Sequence, residues 1–334
     1  DVERSRGLGD VYKRQTQGIH TDTDTFTAIF NKPLGDGWEV NDRARYTTGT
    51  VDFNGLFSSG ITTSQGFLTS ALTRLQAARP DTVSAVYRDA SNGQTVAAAA
   101  LGNQLALTQS IFNTVVNVEN VINDLSVTKT LDTGIGRHTL TAGYYFSHFN
   151  QTQNWNWNDI LVEAINRPRY FDVVGLNAAG QQTVALTKNG LLNLHSNLQR
   201  FQDEVTINAF YLTDAWQVTE ALRIDLGARY HHVSKQGTIA QTTRANLGDA
   251  TTIADDNVLV FTGGTTPYRF KTGQWAFSAG ANYEFDKRVA AFARYSRSFR
   301  VTPEFVQWFG GVPVENRIDL SLIHISEPTR PLYI

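Results

Sequence analysis

Residues 222–232, LRIDLGARYHH, alternate with period two. Leu222, Ile224, Leu226, Ala228 and Tyr230 hold one parity, and Arg223, Asp225, Gly227, Arg229 and His231 hold the other. Successive side chains of a strand point to opposite faces, so the stretch reads as a strand with one apolar and one charged face. The pattern recurs at 38–48 (WEVNDRARYTT), 138–147 (HTLTAGYYFS) and 274–285 (QWAFSAGANYEF). Soluble strands average about 5–6 residues, whereas tilted membrane-spanning strands need about 9–11. The length of these runs favours strands that cross a bilayer, with the apolar row toward lipid and the charged row toward a wet lumen.

Weaker strands complete four hairpins. Residues 25–31 reach Trp38 through LGDGW, and 121–131 reach His138 through DTGIGR. Residues 205–217 reach Leu222 through VTEA, and 273–285 reach 289–299 through DKR. The segments between hairpins, 49–118, 150–203 and 234–272, are expected to be long extracellular loops. Short turns alternating with long loops are the pattern of outer-membrane barrels, and loops this long are uncommon in a compact soluble domain. Within them, 62–80 carries an apolar stripe (Phe67, Leu68, Ala71, Leu72, Leu75) with Pro80 beyond it, which predicts a helix packing the loop on itself. QLALTQSIFNTVV (104–116) is read as a second, less regular helical stretch. Trp275 and Phe285 lie ten residues apart on one row. At the usual rise and tilt that projects to roughly 25 Å, the height of the lipid-facing band. The fold class is therefore all-β: an antiparallel transmembrane β-barrel fragment of about eight strands.

Composition narrows the function. A formal net charge of −2 with no long basic run gives no case for nucleic acid as a partner. With no cysteine there is no thiolate nucleophile and no Cys-based metal site. No run of 18 apolar residues could make a transmembrane helix, and no signal peptide is visible. Methionine is absent, so the chain is expected to be a fragment. Residues 1–15 and 321–334 look like translated sequencing adapter and are set aside as non-native tails, leaving 16–320 as the partial barrel.

No catalytic constellation, cofactor or metal site is expected, and the chain is not read as an enzyme. His231–His232 is read as a rim pair without a third ligand in register. LHSN (194–197) is placed in a long loop, away from any lipase-like geometry, and Asp255–Asp256 is read as a solvated acidic turn rather than a Ca²⁺ site. Aromatic residues in the expected loops are the better ligand candidates. NWNWND (154–159) sets Trp155 and Trp157 among Asn154 and Asn156, and VQWFGG (306–311) adds Trp308 and Phe309. Tryptophan beside amides suits stacking on a flat chelate, vitamin or sugar ring, although the same residues could cap a loop core or sit in the interface belt. The charged row supplies the expected lumen-facing residues Arg43, Arg45, Arg223, Asp225 and Arg229, with Arg294 and Arg300 in the same class.

Two stretches carry a family resemblance. NAFYLTDAWQVTEALRIDLGARYHHV (208–233) and WAFSAGANYEFDKRVAAFARYSRSFRVTPEF (275–305) resemble TonB-dependent outer-membrane receptors. The matching residues are Asp214, Trp216, Val218 and Thr219, then Leu222, Ile224, Gly227, Arg229 and Tyr230. The later hairpin adds Tyr295, Ser296, Arg297, Phe299, Arg300 and Pro303. The resemblance is good over 205–305 and weaker over 19–150, and its motifs specify the barrel scaffold rather than the ligand. It implies a 22-strand barrel in the bacterial outer membrane and an N-terminal plug absent from this stretch. It also implies TonB-driven uptake of a scarce solute such as a siderophore, vitamin or glycan. The expected partners are outer-membrane lipid, the TonB complex acting through that plug, and a small-molecule solute. A passive porin or fatty-acid channel, or a non-transporting surface module, would share the same strands.

Overall fold

The alternating stretches become hairpins much longer than the alternation itself. The computed structural model describes residues 18–101, 105–165, 168–286, 289–301 and 317–326. In chain order the elements are β1 (Ile19–Gly35), β2 (Trp38–Thr62), α1 (Ser64–Ala78), β3 (Ser84–Asp89) and β4 (Thr95–Val96), then a 3-10 turn (Ala98–Leu101). They continue with β5 (Leu105–Thr133), β6 (Gly136–Glu163), β7 (Phe171–Leu176), β8 (Gln182–Ala185) and β9 (Leu191–Gln217). The last four are β10 (Leu222–Ala245), β11 (Val258–Asp286), β12 (Val289–Val301) and β13 (Arg317–Ser326). Nine of these strands form one sheet in the order β1-β2-β5-β6-β9-β10-β11-β12-β13. All its pairings are antiparallel.

Several sequence expectations change here. The strand count in the barrel sheet is nine rather than eight, because β13 adds a partner to β12. The two ends of the expected loop 49–118 are the outer halves of β2 and of β5, and the described part of 104–116 is strand, not helix. Likewise 150–163 and 191–203 extend β6 and β9, which run 28 and 27 residues. Of the residues set aside as tails, 321–326 complete β13, and the remainder lie outside the described residues.

The turns explain themselves locally. In LGDGW, Gly35, Asp36 and Gly37 all adopt positive φ, at 91°, 48° and 75°. A Cβ on Gly37 would sit 2.3 Å from the Thr130 carbonyl oxygen, so only glycine fits both the backbone and the neighbouring strand.

Burial in the main sheet is inverted relative to a water-soluble protein. Phe210 is 62% exposed and Trp275 56%, while on the opposite face Lys235 is 1% exposed. Register puts Phe210, Tyr230 and Trp275 side by side on the exposed face. Large apolar side chains left open on one face are stable only against an apolar solvent.

The buried apolar core lies elsewhere, at the rim opposite the short turns. There α1, the 3-10 turn and a second sheet, β4-β3-β7-β8, pack together with the ends of β5, β6 and β9. Leu75, Tyr87, Leu101, Phe171, Val173 and Leu186 centre this cluster. Helix α1 falls where the apolar stripe predicts it. Thr63 caps its start by accepting from the Gly66 amide at 3.1 Å, and the Arg79 amide closes its end on the Leu75 carbonyl. Tyr87 donates its hydroxyl to the Ser64 carbonyl at 2.6 Å, tying β3 to the helix. The connections between strands thus form a rim subdomain rather than free loops.

Candidate functional site

Register gathers the charged residues expected on one row. Arg43 stands opposite Asp124, whose partner on β6 is Tyr145. Arg229 stands opposite Tyr211, whose partner on β6 is Gly143. Arg43, Arg45, Arg223, Asp225 and Arg229 therefore share one face of the sheet, opposite the exposed apolar row. Arg43 and Arg45 are exposed. Arg223 and Asp225 form an ion pair at 2.8 Å with both side chains about half exposed, a geometry that contributes little stability.

Arg229 is held differently, by residues the sequence did not single out. Gly143 leaves β6 bare, and the Tyr211 ring lies across it: a Cβ there would come within 2.2 Å of Tyr211 Cζ. Tyr211 crosses β6 in this way and donates its hydroxyl to Asp124 Oδ1 on β5 at 2.8 Å. The Arg229 guanidinium lies 4.8 Å from the Tyr145 ring centroid and 5.6 Å from that of Tyr211. Cation–π contact and hydrogen bond together link β5, β6, β9 and β10 across the polar face.

Nearer the rim on the same face, Gln151, Asp203, Lys235 and Tyr268 are buried. Lys235 Nζ lies 3.8 Å from Asp203 Oδ1 and 5.8 Å from the Tyr268 ring centroid. Gln151 donates to Asp203 Oδ2 at 3.4 Å. A cleft of about 720 Å³ involves Gln151, Asp203 and Tyr268 together with Glu204, Gln236 and Arg269. A second groove of about 560 Å³ lies toward the short turns, lined by Arg223, Asp225, Ser278, Gly280, Asn282 and Arg294. The small side chains at 278 and 280 leave its space open.

The expected aromatic site is partly rearranged. Trp155 and Trp157 lie on β6 rather than in a loop, on the face that carries Tyr145, and stack at 5.4 Å with 19° between their planes. Strand alternation sends Asn154 and Asn156 to the opposite face. There Asn154 accepts from Arg200 Nε at 2.8 Å, so the amides do not border the tryptophans. Trp308 and Phe309 lie outside the described residues.

The remaining candidates settle into structural roles. His231 is the tenth residue of β10, not a rim residue, and meets the Phe299 ring edge-on at 5.1 Å. LHSN lies within β9; the His195 amide donates to Asn158 Oδ1 at 2.9 Å, and burial lowers the affinity of its ring for a proton. Asp256 accepts from Asn246 Nδ2, Asp255 Oδ2 accepts from the Asp249 amide, and no trio of metal-ligating side chains occurs among the described residues. In the rim subdomain, burial pushes the Asp172 carboxyl up. The Ser91 hydroxyl and amide hold Asp89 low, and Lys188 with Thr251 holds Asp249 well below the usual carboxylate range.

Long antiparallel strands with an open apolar face, an arginine-bearing opposite face and short turns at one end define a partial outer-membrane β-barrel. The chain belongs to the family of TonB dependent receptor-like β-barrels, whose model matches residues 2–325. That family places this sheet in the bacterial outer membrane. Among solved structures it is similar to the ferric-catecholate import receptor Fiu of E. coli K12, at 16% identity and TM-score 0.47, over 85% of this chain and 33% of that one. The siderophore receptor PiuA of Acinetobacter baumannii is similar at 15% identity and TM-score 0.48, over 85% and 33%. The ferric yersiniabactin uptake receptor FyuA of Yersinia pestis follows at 8% identity and TM-score 0.26, over 84% and 41%. No curated protein sequence matches significantly. The chain spans about a third of the length of the first two receptors.

Proposed function

We propose that the parent receptor imports a scarce solute, a siderophore, vitamin or glycan, across the outer membrane, driven by the TonB complex acting through a plug domain. In this reading the face bearing Arg43, Arg45, Arg223, Asp225 and Arg229 lines the lumen, where water and a plug surface meet the charges that lipid would exclude. The single observation that carries a solute contact is the Trp155–Trp157 stack on that face, near the end opposite the short turns. Two parallel indoles offer a flat, rigid apolar surface to a ring or a planar chelate. With Asn154 and Asn156 on the other face, the polar rim of the solute is met instead by groups on the tryptophan face, such as Gln153 and Gln199.

Replacing both tryptophans with alanine in the full-length receptor tests this. Solute binding should weaken by about 1–4 kcal/mol, the range of a stacked aromatic hot spot, while the barrel still assembles. Unchanged affinity would reduce the pair to ordering β6. Uptake that persists in cells lacking TonB would make the parent a passive channel.

A further inference from the structure

The tryptophan pair has a counterpart two strands away. On β2, Phe53 and Phe57 stack at 5.8 Å with 21° between their planes. Gly55 lies between them and leaves room for the rings to close: a Cβ there would come within 2.8 Å of Phe57 Cε2 and 3.3 Å of Phe53 Cε1. Register sets Phe53 in one row with Trp155 and Gly55 in one row with Trp157, each through a residue of β5. Directly opposed residues share a face, so both aromatic pairs lie on the lumen side at one height. Their strands are two inter-strand spacings apart, about 10 Å. Phe57 is 48% exposed, so its ring is open to a solute. Polar residues on both parities of 150–158 put this height outside the hydrocarbon.

The charge around the two stacks is as informative as the rings. Residues 51–62, 105–116 and 150–163 contain no lysine or arginine, and 191–202 contain only Arg200. Arg200 stands opposite Asn154, on the other face, where it donates to that amide and covers the Phe261 ring at 4.7 Å. Burial disfavours a charged ring at His195. Further from the rim, the Lys235 ammonium is buried beside Asp203. The charged group that shares the tryptophan face here is a carboxylate, Asp159, which accepts from Asn193 Nδ2 at 2.8 Å. Amides supply the remaining polarity, with Asn197 and Gln199 opposite Trp157 and Trp155. An anionic chelate would find no cation on these strands to offset its lost hydration. A neutral solute rich in hydroxyls needs none, and amides both donate to and accept from it.

We propose that this face is a track for a neutral oligosaccharide. One sugar ring lays its C–H face on Trp155 and Trp157, and a ring further along the chain lays its own on Phe57. A compact chelate would cover one stack, whereas a chain of linked rings covers both. The assignment rests on the tryptophan face contacting solute, and it narrows that solute to one class.

The test is an array of neutral oligosaccharides of graded length, with a ferric catecholate and a ferric hydroxamate alongside, probed with the full-length receptor in detergent. At least one saccharide series should bind, more tightly as it lengthens and with little dependence on salt. Phe57→Leu keeps apolar bulk and removes the ring. Longer saccharides should then lose about three- to tenfold in affinity, the scale of one stacked ring, and disaccharides little. An array with no bound saccharide overturns the proposal, as does binding of a ferric chelate alone. A series that Phe57→Leu leaves unchanged at every length, but that loss of both tryptophans weakens, removes the two-stack track alone. A series unchanged by loss of both tryptophans removes the solute contact on which the track rests.

Discussion

Gly143 shows how a single position can set the polar face. Parity alone assigns it to the row opposite Leu140, Ala142 and Tyr144, but nothing local says what covers it. Its meaning appears only with register, which brings Tyr211 alongside and lets the phenol reach Asp124. Gly143→Ala should therefore displace the Tyr211 ring and loosen Arg229, at a cost of about 1–3 kcal/mol as an overpacked site. Urea unfolding of the full-length receptor in detergent would measure it. A Tyr211→Leu background removes the clashing ring, so alanine at 143 should cost much less there. An equal cost in both backgrounds would mean that strand propensity, not the tyrosine, sets the requirement. The arginines were legible because each sits inside an alternating run. The buried Lys235–Asp203 pair was not, since both fall in stretches where alternation had already faded.

That fading has a physical cause at the scale of the element. Period-two hydrophobicity records a strand with lipid on one side and water on the other, not the strand as such. In 150–158, NQTQNWNWN, polar residues occupy both parities, so the pattern stops while β6 continues to Glu163. The hairpins are legible only across the bilayer, and their outer halves, polar on both faces, carry no alternation that separates them from loops. Helix α1 was legible because its apolar stripe packs on a core that the rim builds for itself. The rim subdomain should also answer to pH. Asp89 and Asp249 have lowered pKa values, so their stabilisation is complete above the unfolded value of about 3.9 and is lost as pH falls through their lower folded values. Asp172 has a raised value, so its protonation on acidification relieves a buried charge and acts in the opposite sense, at higher pH. Hydrogen exchange of β3, β7 and β8, corrected for intrinsic rate, should show protection rising slightly on mild acidification and collapsing below about pH 4. Asp249→Asn should flatten the lower arm. Protection falling steadily from neutral pH would contradict the role given to Asp172.

At the scale of the molecule, the nine-stranded sheet is an arc. Every residue of β1 is exposed, and among the described residues only one edge of β1 is paired. Open strand edges cannot face hydrocarbon, because no water is present to satisfy their amides and carbonyls, so the arc is stable in a membrane only when further strands close it. The lipid boundary of that closed barrel is measurable with single introduced cysteines, because this stretch contributes no thiol of its own and any cysteine elsewhere in the receptor is replaced by serine first. In the full-length receptor, single cysteines along β11 should alternate in their reactivity toward a water-soluble maleimide. Positions Trp275, Phe277, Ala279 and Ala281 should be blocked, and Gln274, Ser278, Gly280 and Asn282 reactive through the lumen. On β6 the alternation should hold from Leu140 to Phe146 and vanish beyond Asn150, where Thr152 and Asn154 on the outer face should react as readily as Gln153. Alternation persisting through 150–158 would put lipid where the polar sequence excludes it. Uniform reactivity along β11 would reject the facing of the whole sheet. The two outcomes separate an error in bilayer height from an error in which side of the arc is wet.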